Sequence, residues 1–158
     1  LYGALAGGRT RAQLRTGGLE SLARIAPDFG PAAIEARSGA VLVAARPPLV
    51  AFNLELAPPA SVNDARGVAA RIREGGPEGL ESVRALGIEV RAGVAQVSTN
   101  VEDHGAVTLA ELLAAVERHA PVAEAELVGL APAAAFEGWP ERVPVRNRRT
   151  VEEALGLE

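Results

Sequence analysis

GIEVRAGVAQVSTNV, residues 87–101, reads as two short strands closed by a tight turn at Arg91-Ala92-Gly93. In its second half Ala95, Val97, Thr99 and Val101 alternate with Gln96, Ser98 and Asn100. That period of two marks a strand with one buried face. A lone hairpin is marginal in water, so the segments on either side decide what the hairpin joins.

Each side repeats one pattern. Upstream, Ser61–Glu74 (SVNDARGVAARIRE) predicts a helix, with Val62, Ala65, Val68, Ala69 and Ile72 near helical spacing. Ser61 is placed to cap it, Asp64 suits its first turn, and the glycines of GGPEG end it. Before it, Leu49–Leu56 (LVAFNLEL) alternates Phe52, Leu54 and Leu56 with Asn53 and Glu55. Downstream, Thr108–Ala120 predicts a second helix, opened by a capping box from Thr108 to Glu111 and stopped by Pro121. Ala123–Leu130 predicts a fourth strand.

The order β-α-β-β-α-β implies an α+β fold: a four-stranded antiparallel sheet with both helices on one face, the ferredoxin-like arrangement. The other sheet face then carries Asn53, Glu55, Gln96, Ser98 and Asn100. A bare polar face meets either water or another domain. Further elements are expected. Ala40–Arg46 (AVLVAAR) is an extra strand, placed at an edge or extending the sheet elsewhere. Leu80–Leu86 (LESVRAL) adds a helical piece, and Pro132–Trp139 a short Ala-rich helix. Thr150–Glu158 forms a last helix with a capping box to Glu153. Leu14, Leu19, Leu22 and Ile25 suit one or two short helices at the start.

The 158 residues suit one domain with a core of its own, and 48% of them are apolar. No apolar run reaches the length of a membrane span, and no charged segment followed by an apolar one opens the chain. A cytoplasmic protein without membrane contact is therefore expected. There is no methionine, so Leu1 is expected to be a cut point in a longer protein. The absence of cysteine excludes disulfides, thiolate catalysis and cysteine metal sites. All 16 basic residues are arginine, which excludes lysine Schiff-base chemistry. A net charge of −4 with 3% aromatic residues argues against nucleic-acid binding.

Residue types that carry chemistry are sparse. His104 follows Asp103 in a loop and is a candidate general base, although nothing else in the sequence supports it. His119 ends a helix, where the dipole favours a cationic ring, and is read as structural. Arg142, Arg146, Arg148 and Arg149 in RVPVRNRR are read as a solvated surface run in preference to an anion site. Neither a P-loop nor a dinucleotide-binding glycine fingerprint is present, and no metal site is expected.

Four ordered motifs carry a resemblance. APDFGP (Ala26–Pro31), GAVLVAARPPLVAFNLEL (Gly39–Leu56), AQVSTN (Ala95–Asn100) and ELVGLAP (Glu126–Pro132) together resemble the glutamate formimidoyltransferase family. LYG at Leu1–Gly3 resembles the strand end before that family's linker. The resemblance implies a transferase moving a formimidoyl group between N-formimidoylglutamate and tetrahydrofolate, in histidine degradation and one-carbon metabolism. It implies tetrahydrofolate as substrate, bound between two ferredoxin-like subdomains, with the upstream catalytic subdomain as a partner, and it admits a homodimer.

On this resemblance residues 1–39 are the end of the upstream subdomain and a linker lining the ligand cleft. Residues 40–139 are the C-terminal subdomain, and 140–158 a tail. The folate-contacting segment falls on Gly30, Pro31, Ala32, Ala33, Ile34, Glu35, Ala36, Arg37, Ser38 and Gly39. The family's catalytic histidine falls upstream of Leu1, so no residue here inherits that role. The chain departs from the family where EARS (Glu35–Ser38) replaces a segment containing His-Pro, and where AAR (Ala44–Arg46) replaces Gly-Ala-Arg. These departures keep an alternative open: a non-catalytic folate-binding or assembly module that kept the fold and lost the activity.

Overall fold

The computed structural model describes residues 2–3, 17, 18, 20, 24–31, 33, 37, 39, 41–43, 48–91 and 93–157. The helices expected around Leu14, Leu19 and Leu22 lie outside them, as do Ala40, Ala44, Ala45 and Arg46. The chain divides into two units, Leu1–Arg46 and Pro47–Glu158. In the first, strand β1 (Tyr2–Gly3) pairs in parallel with β2 (Leu42–Val43). The extra strand expected at Ala40–Arg46 therefore does not extend the main sheet. Its described core is two residues long and takes Tyr2–Gly3 as its partner.

The second unit runs β3 (Val50–Leu56), α1 (Val62–Ile72), β4 (Val83–Arg91), β5 (Val94–Val101), α2 (Leu109–Glu117), β6 (Val122–Val128), a 3-10 turn (Ala133–Phe136), β7 (Val145–Arg146) and α3 (Val151–Leu155). The sheet order is β4-β5-β3-β6-β7. Its first four strands are the expected antiparallel β-α-β-β-α-β set, and the fold is α+β with a ferredoxin-like arrangement. β7 adds a fifth strand, parallel to β6, so the sheet is mixed. The sequence reading missed it because Pro144 and the arginines around Val145 mask a pair of residues too short to show a period.

The helices start where their caps dictate. Ser61, Thr108 and Thr150 each accept from the backbone three residues on, and Asp64, Glu111 and Glu153 reach back to the cap. The buried faces are Ala65, Val68, Ala69 and Ile72 on α1, and Leu109, Leu112, Leu113, Ala115 and Val116 on α2. They pack with Phe52, Leu54, Val97 and Leu127 from the sheet into one core. Phe52 meets Phe136 and Trp139 edge-to-face, at 6.1 and 5.2 Å between ring centroids. Gly87 lets α1 lie directly on β4, since an added Cβ would run into the backbone of Ala65 and Arg66.

Leu80–Leu86 is not helical. β4 begins at Val83, whose side chain is fully buried and whose partner is Val101. Ser82 turns the chain at φ 58° and accepts from Glu102 N at 2.8 Å, which starts the ladder four residues before the expected Gly87. Pairing with β5 overrides the helix preference of Leu, Glu, Arg and Ala. At the hairpin end the register shifts between Glu89 and Arg91, and Gly93 takes φ 78°. Ala92 lies outside the described residues.

Candidate functional site

Among the described residues no helix covers the second face of the main sheet, and its side chains follow from register. One row across the strands is Ile88–Gln96–Glu55–Glu124. The next is Leu86–Ser98–Asn53–Glu126–Arg146. The third is Arg84–Asn100–Ala51–Val128. The five polar residues expected on this face are thus brought together there. Exposed Leu86 and Val128 flank the polar centre.

The centre is Glu55, only 4% exposed. Two arginines reach it from opposite edges. Arg91 on β4 crosses β5 and presents a fork, Nη1 to Oε1 at 3.4 Å and Nη2 to Oε2 at 3.0 Å. Arg146 on β7 crosses β6 and donates to Oε1 at 2.7 Å. On the way Arg146 also pairs with Glu124 at 3.0 Å and Glu126 at 3.6 Å. Asn53 donates to Glu126 at 3.2 Å. Burial alone would raise the Glu55 pKa. The hydrogen bonds and charge of Arg146, then of Arg91, outweigh it and hold the carboxyl below its ordinary value.

Gln96 is the second buried polar group here, 2% exposed, in the position opposite Glu55. Its Oε1 finds no donor among the described residues, and Arg146 Nε finds no acceptor. Thr99, by contrast, lies on the core side and is satisfied, its hydroxyl donating to the Phe52 carbonyl at 2.5 Å. Such a surface can hold polar groups of a ligand or of a facing protein layer. Among the described residues it holds no nucleophile–base pair.

The segment 30–39 belongs to the first unit. Gly30, Pro31, Ala33, Arg37 and Gly39 are exposed; Ala32, Ile34, Glu35, Ala36 and Ser38 lie outside the described residues. Gly30 and Gly39 hold φ 95° and 65°, the left-handed region that glycine enters without strain.

The other expected residues are placed apart. Asp103 does not orient His104, because its Oδ1 accepts from the backbone of Gly105 and Ala106 at 2.9 and 3.3 Å. His119 Nε2 lies 3.0 Å from Glu78, which Arg71 and Arg118 also approach. The arginine run lies at the surface, with Arg142, Arg148 and Arg149 exposed and Arg146 half-buried, and it disperses into separate contacts. Arg142 forks onto Glu117 at 2.7 and 2.5 Å, Arg146 joins the sheet face, and Arg148 lies 4.5 Å from the Phe136 ring centre. Sequence reasoning missed Arg91, Glu124, Glu126 and Arg146 as members of one cluster. The alternation of VAEAELV on β6 signals the two glutamates; nothing local signals Arg146, 91 residues from Glu55.

Comparison with known proteins bears on the whole unit. Residues 51–139 match the formiminotransferase domain. The chain is similar to formimidoyltransferase-cyclodeaminase of Mus musculus, 33% identical over 95% of this chain and 32% of the relative. It is 36% identical to the Sus scrofa protein of that name over 84% of this chain and 28% of the relative. For the Gallus gallus protein the values are 34%, 78% and 26%. The chain thus spans about a third or less of these relatives' length. With the domain match covering more than half of its residues, the chain belongs to the formiminotransferase domain family.

Proposed function

We propose that this chain is part of a formimidoyltransferase that moves a formimidoyl group between N-formimidoylglutamate and tetrahydrofolate, and that it supplies the folate-binding side of the cleft. The observation that carries the reading is the family match over residues 51–139. Relatives named for formimidoyl transfer, similar over nearly the whole chain, support it. Tetrahydrofolate enters as a substrate. Its N5 bonds to the formimidoyl carbon while the bond from that carbon to the glutamate nitrogen breaks. The leaving nitrogen takes up the proton that N5 gives up. The general base for that transfer belongs to an upstream subdomain, and the helix-free sheet face meets that subdomain. Here the chain's contribution is to place the substrate and keep water out.

In this reading residues 30–39 line the cleft. Arg37 supplies a cationic fork for a carboxylate, and Gly39 a backbone turn that side chains resist. Tetrahydrofolate binding to the protein isolated from its own cells, with Arg37→Ala and Gly39→Val, tests the assignment. Each change is expected to weaken binding about tenfold, the loss of one charge-assisted contact or of the turn. Unchanged affinity in both sinks the segment's role. Binding without any consumption of N-formimidoylglutamate would favour the non-catalytic module instead.

A further inference from the structure

The helix-free face contains one mismatch between burial and bonding. Gln96 Oε1 is buried and accepts nothing among the described residues, although its neighbours Glu55 and Arg91 are joined to each other. A buried acceptor without a donor costs free energy that a ligand N–H would recover. Glu55 itself accepts three bonds, and a carboxylate offers about four such positions. Two acceptors with spare capacity therefore stand opposite each other on adjacent strands.

Arg91 indicates what kind of group fits. Its planar N–C–N fork already lies on Glu55, but at 3.0 and 3.4 Å, longer than the 2.7 Å of Arg146. Its side chain is 55% exposed, against 36% for Arg146. Arg91 is thus the loosely held cation of the pair, free on its solvent side to swing away. Among the described residues Glu55, Glu124 and Glu126 face Arg91 and Arg146 as their cations, so the cluster carries one surplus negative charge. It carries two once Arg91 leaves.

We propose that Glu55 and Gln96 form a subsite for a planar amidinium group, which Arg91 occupies as a displaceable stand-in. One N–H of the ligand bonds Glu55 Oε2, and the other fills the empty acceptor of Gln96. Arg146 stays in place and fixes the Glu55 carboxylate. A formimidoyl group is an amidine, so within the function proposed above this subsite would hold the group being transferred; only that identification rests on that reading.

The test titrates formamidinium chloride into the protein and follows the backbone amides of positions 55 and 96 by NMR, with tetramethylammonium chloride as the control for charge and ionic strength. Saturable binding of formamidinium alone is expected. Arg91→Ala should tighten it about tenfold by removing the competitor, and Gln96→Leu should weaken it by a similar factor. No saturable binding, or equal response to tetramethylammonium, overturns the proposal. So does an Arg91→Ala variant with unchanged affinity, which decides the matter even where Gln96→Leu fails to fold. Formamidinium binding without transferase activity would retain the subsite and remove the function. Activity with no formamidinium binding would do the reverse.

Discussion

Glu55 sits where burial alone would raise its pKa, and its two arginine partners lower it instead. Its folded pKa lies below the ordinary glutamate value of about 4.3, so its contribution to stability is fully present above that value. That contribution is lost as pH falls through the lowered folded pKa. Urea midpoints measured from pH 7 to pH 3 should drop steeply for the native chain. Glu55→Gln should cost about 2 kcal/mol at pH 7, by leaving Arg146 short of its strongest partner, and should flatten the acid limb. An acid limb as steep in the variant would assign it to other carboxylates. The polar character of this position was legible in the alternation of LVAFNLEL. Its partners were not: they come from two edge strands, 36 and 91 residues away, and no local period encodes such a meeting.

Among the elements, caps and close approaches do the specifying. Thr108→Ala removes the hydroxyl that accepts from Glu111 N and should cost about 1 kcal/mol of stability, visible as a drop of a few degrees in Tm. Gly87→Val should be far worse, about 3 kcal/mol or more, because the new side chain meets the backbone of α1 and helix and strand cannot both keep their places. A fully folded Gly87→Val variant of native Tm would contradict the packing of α1 on β4. Helix starts were readable because a capping box is local chemistry. The start of β4 was misread because LESVRAL has helix-forming residues, and only its partner Val101 makes Val83 a strand residue.

For the whole molecule, every buried core side chain among the described residues lies between Val50 and Val143, inside the second unit. Residues 47–158 alone should therefore unfold in one cooperative transition, within a few degrees of the full chain. Scanning calorimetry of both forms checks this. A broad, non-cooperative transition in the shorter form would mean that residues 1–46 supply core packing. The β-α-β-β-α-β order was legible because each segment has its own period and punctuation. The fifth strand was not, since two residues carry no period.

That fifth strand has a consequence for where the protein can be cut. The domain match stops at Trp139, yet the cation that joins Glu55, Glu124 and Glu126 enters only at Arg146. A chain trimmed at 139 keeps three crowded carboxylates and loses the charge that reconciles them. Such a fragment should melt at a lower temperature than residues 47–158, measured by scanning calorimetry. The edge of the domain match is therefore a poor place to end the gene.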